Sequence, residues 1–210
     1  GYGAYFRTAI TGTTISFVGY AFVDDTDLCI TSQNPDETEV DVALRMQQAL
    51  DLWEGGIRAT GGAIVPEKSH WCIIDFKWQQ GHWRYATEIE APAIISVRDC
   101  DGKVAALERL SVSEARRTLG VKLAPDGNDQ AQFQKSFESA KTWKEQIRAG
   151  HLPRKLAWES MTTTIVSTLH HPLPATTMSL KQCAAIMTPT LQAGLPCSGI
   201  VRTFPRALEY

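Results

Sequence analysis

The sequence predicts an α+β fold in which a strand-rich part precedes a helical part. Up to a turn cluster at 124–129, short runs of strand-forming residues alternate with turn residues, interrupted by one helical segment. Beyond that cluster, three segments carry apolar residues at helical spacing. This change predicts two domains, 1–127 and 128–210. A chain of 210 residues is long enough to bury about 70% of its unfolded surface.

The first distinctive element is a predicted β-hairpin with two acidic residues at its tip. Strand-forming residues fill 15–23 and 26–31, so Asp24 and Asp25 fall at the turn. Two carboxylates about 4 Å apart repel by about 4 kcal/mol at an effective dielectric near 20, so a buried pair requires a cation or a raised pKa. Mg²⁺ is a suitable cation because it binds carboxylates together with substrate phosphates. The alternative is an exposed Asp-Asp turn, which requires no ion.

An amphipathic helix and a lysine follow the acidic hairpin. Apolar residues recur every three or four positions over 40–57, and Thr60-Gly61-Gly62 ends the helix. Lys68 then precedes the strand-like run 71–74. A cation at this point can neutralise a polyphosphate or assist proton transfer. The alternative is an ordinary solvated lysine.

This order of elements resembles the palm of the reverse transcriptases of retroelements. The aromatic-x-Asp-Asp hairpin, the helix, the Lys-Ser pair and a Leu-Gly pair occur in the family's order over residues 15–123. Phe22 stands where the family usually has Tyr. The resemblance implies that the aromatic-x-Asp-Asp carboxylates, Asp24 and Asp25, bind metal and are catalytic.

The same resemblance assigns roles to residues further along the chain. It implies that Lys68 is a catalytic residue near the substrate phosphates. It also implies that Leu119 and Gly120 form a primer-grip-like element, in which glycine allows close approach of the backbone to nucleic acid. The three helical segments after 127 would then correspond to a thumb, so the expected fold is a partial polymerase palm of antiparallel hairpins and a helix, followed by a helical thumb-like region.

The implied activity is RNA-directed DNA polymerisation by two-metal-ion chemistry. It would use Mg²⁺ or Mn²⁺, an RNA template, a DNA primer and deoxynucleoside triphosphates. The family carries a further catalytic Asp and its fingers upstream, whereas the residues before Asp24 contain no acid. We therefore expect a reverse transcriptase fragment that is inactive alone and whose parent supplies the missing N-terminal portion. The alternative is a non-catalytic remnant or a nucleic-acid-binding module.

The remaining segments predict hairpins and helices. Two further hairpins are expected around the turns 79–82 and 99–103. Helices are expected over 129–149, 154–169 and 179–191, the last burying Leu180, Cys183, Ala184 and Met187. Trp71, Trp78 and Trp83 suit either base stacking or cross-strand packing. His170 and His171 are not expected to form a ligand pair.

Composition restricts the partners and the compartment. The formal net charge of −2 means that any nucleic-acid surface must be local. Three basic patches are candidates: Arg116-Arg117 with Lys122, Lys135 with Lys141 and Lys144, and Arg148 with Arg154-Lys155. Five cysteines without metal-ligand spacing favour a reducing, intracellular compartment, cytoplasmic or nuclear. No run approaches the roughly twenty apolar residues of a membrane span.

Overall fold

The computed structural model describes residues 3–8, 10–22 and 25–200, without the side chains of Phe6, Phe17, Tyr20 and Phe22. The fold is mixed α+β, which confirms the coarse fold class. The chain divides into two compact units, Gly1–Glu114 and Ala115–Tyr210. The sequence places the division at 127, whereas the structure groups the hairpin at 116–123 with the helices that follow it.

Unit 1 contains ten short strands and one long helix within the described ranges. The strands are β1 (Ala4–Arg7), β2 (Thr14–Phe17), β3 (Gly19–Phe22), β4 (Asp25–Leu28), β5 (His70–Trp71), β6 (Phe76–Gln79), β7 (His82–Tyr85), β8 (Ser96–Arg98), β9 (Val104–Ala106) and β10 (Glu108–Arg109). The helix α1 spans Glu39–Ala59. The strands pair two by two and do not form one continuous sheet in this part of the chain.

Four of the pairs in unit 1 are antiparallel hairpins: β1–β2, β3–β4, β6–β7 and β8–β9. The last two are the hairpins predicted around 79–82 and 99–103. The fifth pair is parallel and joins β5 to β10 over a long separation in sequence. The predicted strand at 71–74 is therefore wrong in extent, because only His70–Trp71 pairs.

Helix α1 begins at a capping box. The Thr38 hydroxyl accepts from the Asp41 backbone N–H (3.3 Å), and the Asp41 carboxylate accepts from the Thr38 backbone N–H (2.9 Å). Polar contacts then join α1 to β8 and the loop after it. The Gln47 side chain exchanges two hydrogen bonds with the Ser96 backbone, each 2.8 Å long. The Arg58 guanidinium donates to the Asp99 carbonyl (2.6 Å).

Unit 2 starts with a hairpin, β11 (Arg116–Thr118) and β12 (Val121–Leu123), and continues as helices. These are α2 (Gln130–Ala149), α3 (Arg154–Glu159), a π-helical segment (Ser160–Val166), α4 (Ser167–His170) and α5 (Leu180–Cys197). Helix α5 begins at a capping box formed by Ser179 and Gln182. The packed core of unit 2 lies among α2, the π-helical segment, α4 and α5, with Ala140, Ile147, Ile165, Leu169, Ile186 and Ala193 at its centre.

Two predictions for the helical part are wrong in detail. Helix α5 continues past 191 to Cys197, through Pro189 and Pro196. Its buried face is also different, since Leu180 is 89% exposed whereas Ile186 is buried. The predicted second helix is present as three consecutive segments, because the Thr-rich run adopts π-helical geometry. No helix in the described ranges combines the length and apolarity that a bilayer span requires.

Candidate functional site

The acidic hairpin predicted from the sequence is formed by β3 and β4. The two strands pair in antiparallel register with Gly19 opposite Leu28 and Phe22 opposite Asp25. Asp25 is the exposed first residue of β4, whereas Asp24 lies outside the described residues. At the other end of the hairpin, a Cβ on Gly19 would lie 2.2 Å from the Asp27 carbonyl oxygen. Glycine is therefore required there for the strands to approach closely.

A second acid shares the face of Asp25. Side chains alternate along a strand, so Asp25 and Asp27 of β4 project to the same side, with about 7 Å between their Cα atoms. Cys29 continues this alternation, and its N–H still donates to the Val18 carbonyl (2.7 Å). The sequence analysis singled out Asp24 and Asp25 but not Asp27. The strict alternation of a strand would have been enough to find it.

The charge of Asp27 on β4 affects a thiol in the segment that follows Lys68. Loss of solvent contact raises the pKa of the Cys72 thiol; the charges of Cys29 and Asp27 raise it further, and Arg109 opposes them. Loss of solvent contact and the Asp27 carboxylate also raise the pKa of Cys29. Cys72 lies four residues along the chain from Lys68.

Lys68 is the last residue of a 3-10 turn, Pro66–Lys68. Pro66 is buried, and the Ser69 hydroxyl donates to the Val65 carbonyl (2.9 Å), which fixes the backbone on both sides of Lys68. The Lys68 side chain is exposed. Among the described residues it forms no salt bridge, and none joins it to Asp25. The structure thus places Lys68 on an ordered turn without pairing it to the acidic hairpin.

An aromatic–cation contact adjoins this region. The Arg109 guanidinium lies 5.1 Å from the centroid of the Trp71 ring and donates to the Ala91 carbonyl (2.5 Å). Trp78 and Trp83 instead form a cross-strand pair in the β6–β7 hairpin, with ring centroids 5.0 Å apart. This geometry confirms cross-strand packing for Trp78 and Trp83. Both rings nonetheless remain mostly exposed.

Leu119 and Gly120 form the two-residue turn of the β11–β12 hairpin in unit 2. Both have positive φ, 49° and 88°, the combination of a type I′ hairpin turn. The Leu119 carbonyl lies 3.2 Å from His171 Nε2, and the Gly120 carbonyl accepts from Lys135 Nζ at 2.6 Å. The predicted primer-grip-like pair is therefore a tight turn whose carbonyl groups are held by side chains from the helical part of unit 2.

The metal ligands that the sequence predicts are Asp24 and Asp25 of the acidic hairpin. In the described part of the chain, no group of three or more His, Cys, Asp or Glu side chains is arranged to hold a metal ion. Asp24 lies outside that part. The donors that β4 does provide, the Asp25 and Asp27 carboxylates, are hard oxygen ligands and fit Mg²⁺ better than a soft metal. His171 contacts the Leu119 carbonyl and belongs to the other unit.

No family model matches the chain, no curated protein is similar to it, and no solved structure matches its fold.

Proposed function

We propose that this chain is part of a reverse transcriptase, and that its β3–β4 hairpin contributes two metal-binding carboxylates to template-directed nucleotidyl transfer. In this proposal Asp24 is the principal metal ligand, Asp25 is its partner, and Lys68 is a phosphate neighbour. Leu119 and Gly120 are a primer-grip-like turn. The substrates are deoxynucleoside triphosphates on a DNA primer and an RNA template.

The observation that carries the proposal is the register of the acidic hairpin. Phe22 pairs with Asp25, so only two residues, the second of them Asp24, join β3 to β4. The aromatic-x-Asp-Asp sequence therefore spans the end of a tight hairpin, which suits the presentation of carboxylates to a ligand. A capped helix, α1, follows it and contacts β4.

A second observation supports a common site for the hairpin and the Lys68 segment. The charge of Asp27, on the same face of β4 as Asp25, is one of the causes that raise the pKa of the Cys72 thiol. Lys68 precedes Cys72 by four residues on an ordered turn. A lysine so placed would act on phosphates that a metal held at the hairpin also contacts.

Each of the proposed residues would have a role that follows from its charge. Mg²⁺ held by Asp24 and Asp25 would neutralise the triphosphate and activate the primer hydroxyl. Asp27, on the same face as Asp25, would add negative potential that favours cation binding. The exposed Lys68 ammonium would stabilise charge on the leaving pyrophosphate.

Primer extension tests the polymerase assignment. The chain and a version extended upstream by the parent's fingers and first palm strand are assayed on an RNA template with Mg²⁺ or Mn²⁺. Activity in the extended version alone is expected, because two-metal transfer requires every ligand of the unit. Activity in neither version would leave the non-catalytic remnant or nucleic-acid-binding module as the better assignment.

Metal titration tests the carboxylates independently of activity. Asp24→Asn and Asp25→Asn are each expected to weaken Mn²⁺ binding, followed by paramagnetic broadening, while far-ultraviolet circular dichroism stays unchanged. Asp36→Asn is the matched control, because Asp36 is exposed and lies outside the hairpin. If all three variants bound Mn²⁺ with the affinity of the parent chain, the hairpin would not be a metal site.

A further inference from the structure

Unit 2 contains a cleft, and no residue of the acidic hairpin lines it. The cleft has a volume of about 460 Å³ and lies between β12 and one face of α2. Helix α2 contributes Gln134, Lys135, Glu138, Ser139 and Trp143 to it, at the spacing of a single helix face, and β12 contributes Lys122. A volume of this order fits one small ligand.

Two lysines, Lys122 and Lys135, line this cleft, and Arg117 adds a third cation beside Lys122. Arg117 and Lys122 lie directly opposite each other in the β11–β12 register, and like charges in that arrangement repel. Lys135 of α2 lines the cleft together with Lys122. Its pKa is lowered by loss of solvent contact first, and then by the charges of Arg117 and Lys122. The cluster joins residues from two of the basic patches that the sequence predicts separately.

The geometry of Lys135 holds the cluster in place. Its Nζ donates to the Gly120 carbonyl (2.6 Å), which aims the ammonium group at the β11–β12 turn and leaves two further N–H donors. Glu138 is the acid of the cleft lining, and one of its carboxylate oxygens accepts from the Gln134 side-chain amide (2.7 Å). The lining contains two lysines and one carboxylate, and Arg117 opposite Lys122 adds to the positive charge, which an anion would neutralise.

From this arrangement we propose that the cleft binds a nucleotide through a terminal phosphate monoester. A terminal phosphate carries nearly two negative charges at neutral pH, against one for an internal phosphodiester, and so matches a cluster of three cations better. The Ser139 hydroxyl adds a donor to the phosphate, and Trp143 provides an aromatic surface for the base. The ligand is either a free mononucleotide or the 5′-phosphate end of a nucleic acid strand.

Competition binding tests this proposal on the full chain, with EDTA present to remove any metal from the acidic hairpin. The probe is a short fluorescent single strand carrying a 5′-phosphate, followed by fluorescence anisotropy. We expect it to bind about tenfold more tightly than the same strand with a 5′-hydroxyl. Equal affinity for the two strands would overturn the proposal.

Competitors identify the source of the phosphate. If a mononucleotide displaces the probe at concentrations where inorganic phosphate does not, the ligand contains a nucleoside. Stronger displacement by an unlabelled 5′-phosphorylated strand than by the mononucleotide assigns the cleft to strand ends, and the reverse order assigns it to free nucleotides. Inorganic phosphate displacing the probe as well as the mononucleotide would overturn the assignment of a nucleotide.

Two variants locate the binding. Lys122→Gln removes an exposed cation of the cleft lining, and Lys135→Gln removes the lysine that holds the Gly120 carbonyl. Both are expected to abolish the preference for the 5′-phosphate. Lys141→Gln is the matched control, since Lys141 lies on α2 over the Phe137 ring and outside the cleft lining. A retained preference in Lys122→Gln, or an equal loss in Lys141→Gln, would contradict the proposed site. Because metal is absent, these outcomes do not depend on the polymerase assay.

Discussion

The two units of this chain are stabilised in different ways. In the described residues, both packed hydrophobic clusters belong to unit 2, where α2, α5 and the π-helical segment bury large aliphatic side chains. In unit 1 the buried apolar residues include four alanines together with Ile95, Val97 and Leu110. Its long helix is instead tied to β8 by side-chain hydrogen bonds. Unit 2 therefore depends mainly on apolar burial, and unit 1 on specific polar contacts.

The largest effect is expected from a cavity in unit 2. Ile186→Ala removes a buried side chain at the centre of the core and should reduce the free energy of unfolding by about 2–5 kcal/mol. Hydrogen exchange followed by mass spectrometry should show faster exchange in α2 and α5 peptides. Leu180→Ala, on the same helix but 89% exposed, is the control and should change stability by about 0.5 kcal/mol or less. Equal effects of the two would contradict the assigned core.

A smaller effect is expected from the polar network of unit 1. Glu54 is buried, and its carboxylate accepts from Arg58 Nε (2.8 Å) and from the Arg98 backbone N–H (3.1 Å). Glu54→Gln replaces one acceptor by a donor and should cost about 1–3 kcal/mol. Faster hydrogen exchange is expected in α1 and β8 peptides. The exposed Glu67→Gln is the control, and unchanged protection in Glu54→Gln would show that the network contributes little.

Acid should weaken unit 1 through an ion pair between α1 and β6. The Lys77 ammonium is the main cause that lowers the pKa of Glu39 from its ordinary 4.5 to about 2, with backbone and Asp75 hydrogen bonds adding to it. A lowered folded-state pKa means that the pair stabilises the fold above about pH 4.5, and that this contribution is lost as the pH falls toward 2. Both side chains are partly exposed, so the expected loss is about 1 kcal/mol or less.

Thermal unfolding between pH 6 and 2 measures this dependence. Lys77→Met should flatten the fall in unfolding temperature within that window, because it removes the main cause that lowers the pKa of Glu39 in the folded state. The same acid slope in the parent and the variant would show that the ion pair does not contribute.

The smallest effect is chemical and concerns the neighbourhood of the acidic hairpin. The raised pKa of the Cys72 thiol should slow its alkylation by iodoacetamide at neutral pH, because the thiolate is the reactive form. Asp27→Asn removes one of the charges that raise it and should speed alkylation by about twofold. Peptide mass spectrometry measures the rate at Cys72. An unchanged rate would show that the Asp27 charge does not affect Cys72. It would also argue against the common site proposed for Asp25 and Lys68.

Local signals allowed much of the fold to be predicted. The turn at Gln80–Gly81 and the helix α1 with its end before Gly61 follow from neighbouring residues, and the structure contains both. The parallel pairing of β5 with β10 could not be predicted, because it joins residues far apart in sequence. Helix α5 passes through Pro189 because that proline is buried with Thr190 and Leu191, so packing outweighs the helix-breaking tendency that the sequence shows.

The candidate sites show the same difference between what local sequence predicts and what depends on long-range packing. The position of Asp25 at the end of a hairpin is a local property and was predicted, and Asp27 follows from strand alternation. The contact between Lys135 and the Gly120 carbonyl depends on how α2 packs against the β11–β12 hairpin. No pattern of neighbouring residues encodes that packing, so the cleft is visible only in three dimensions.

The Trp78–Trp83 pair gives the β6–β7 hairpin an optical signature of its own. The two indoles lie 5.0 Å apart with their ring planes inclined by 71°. Transition dipoles at this distance and inclination couple, so their excited states are shared between the rings and split into two bands of opposite rotational strength. Circular dichroism of the folded chain should carry this couplet, and either Trp78→Phe or Trp83→Phe should remove it completely. Loss of this couplet during denaturation would report the unfolding of the β6–β7 hairpin separately from the unfolding of the rest of the molecule.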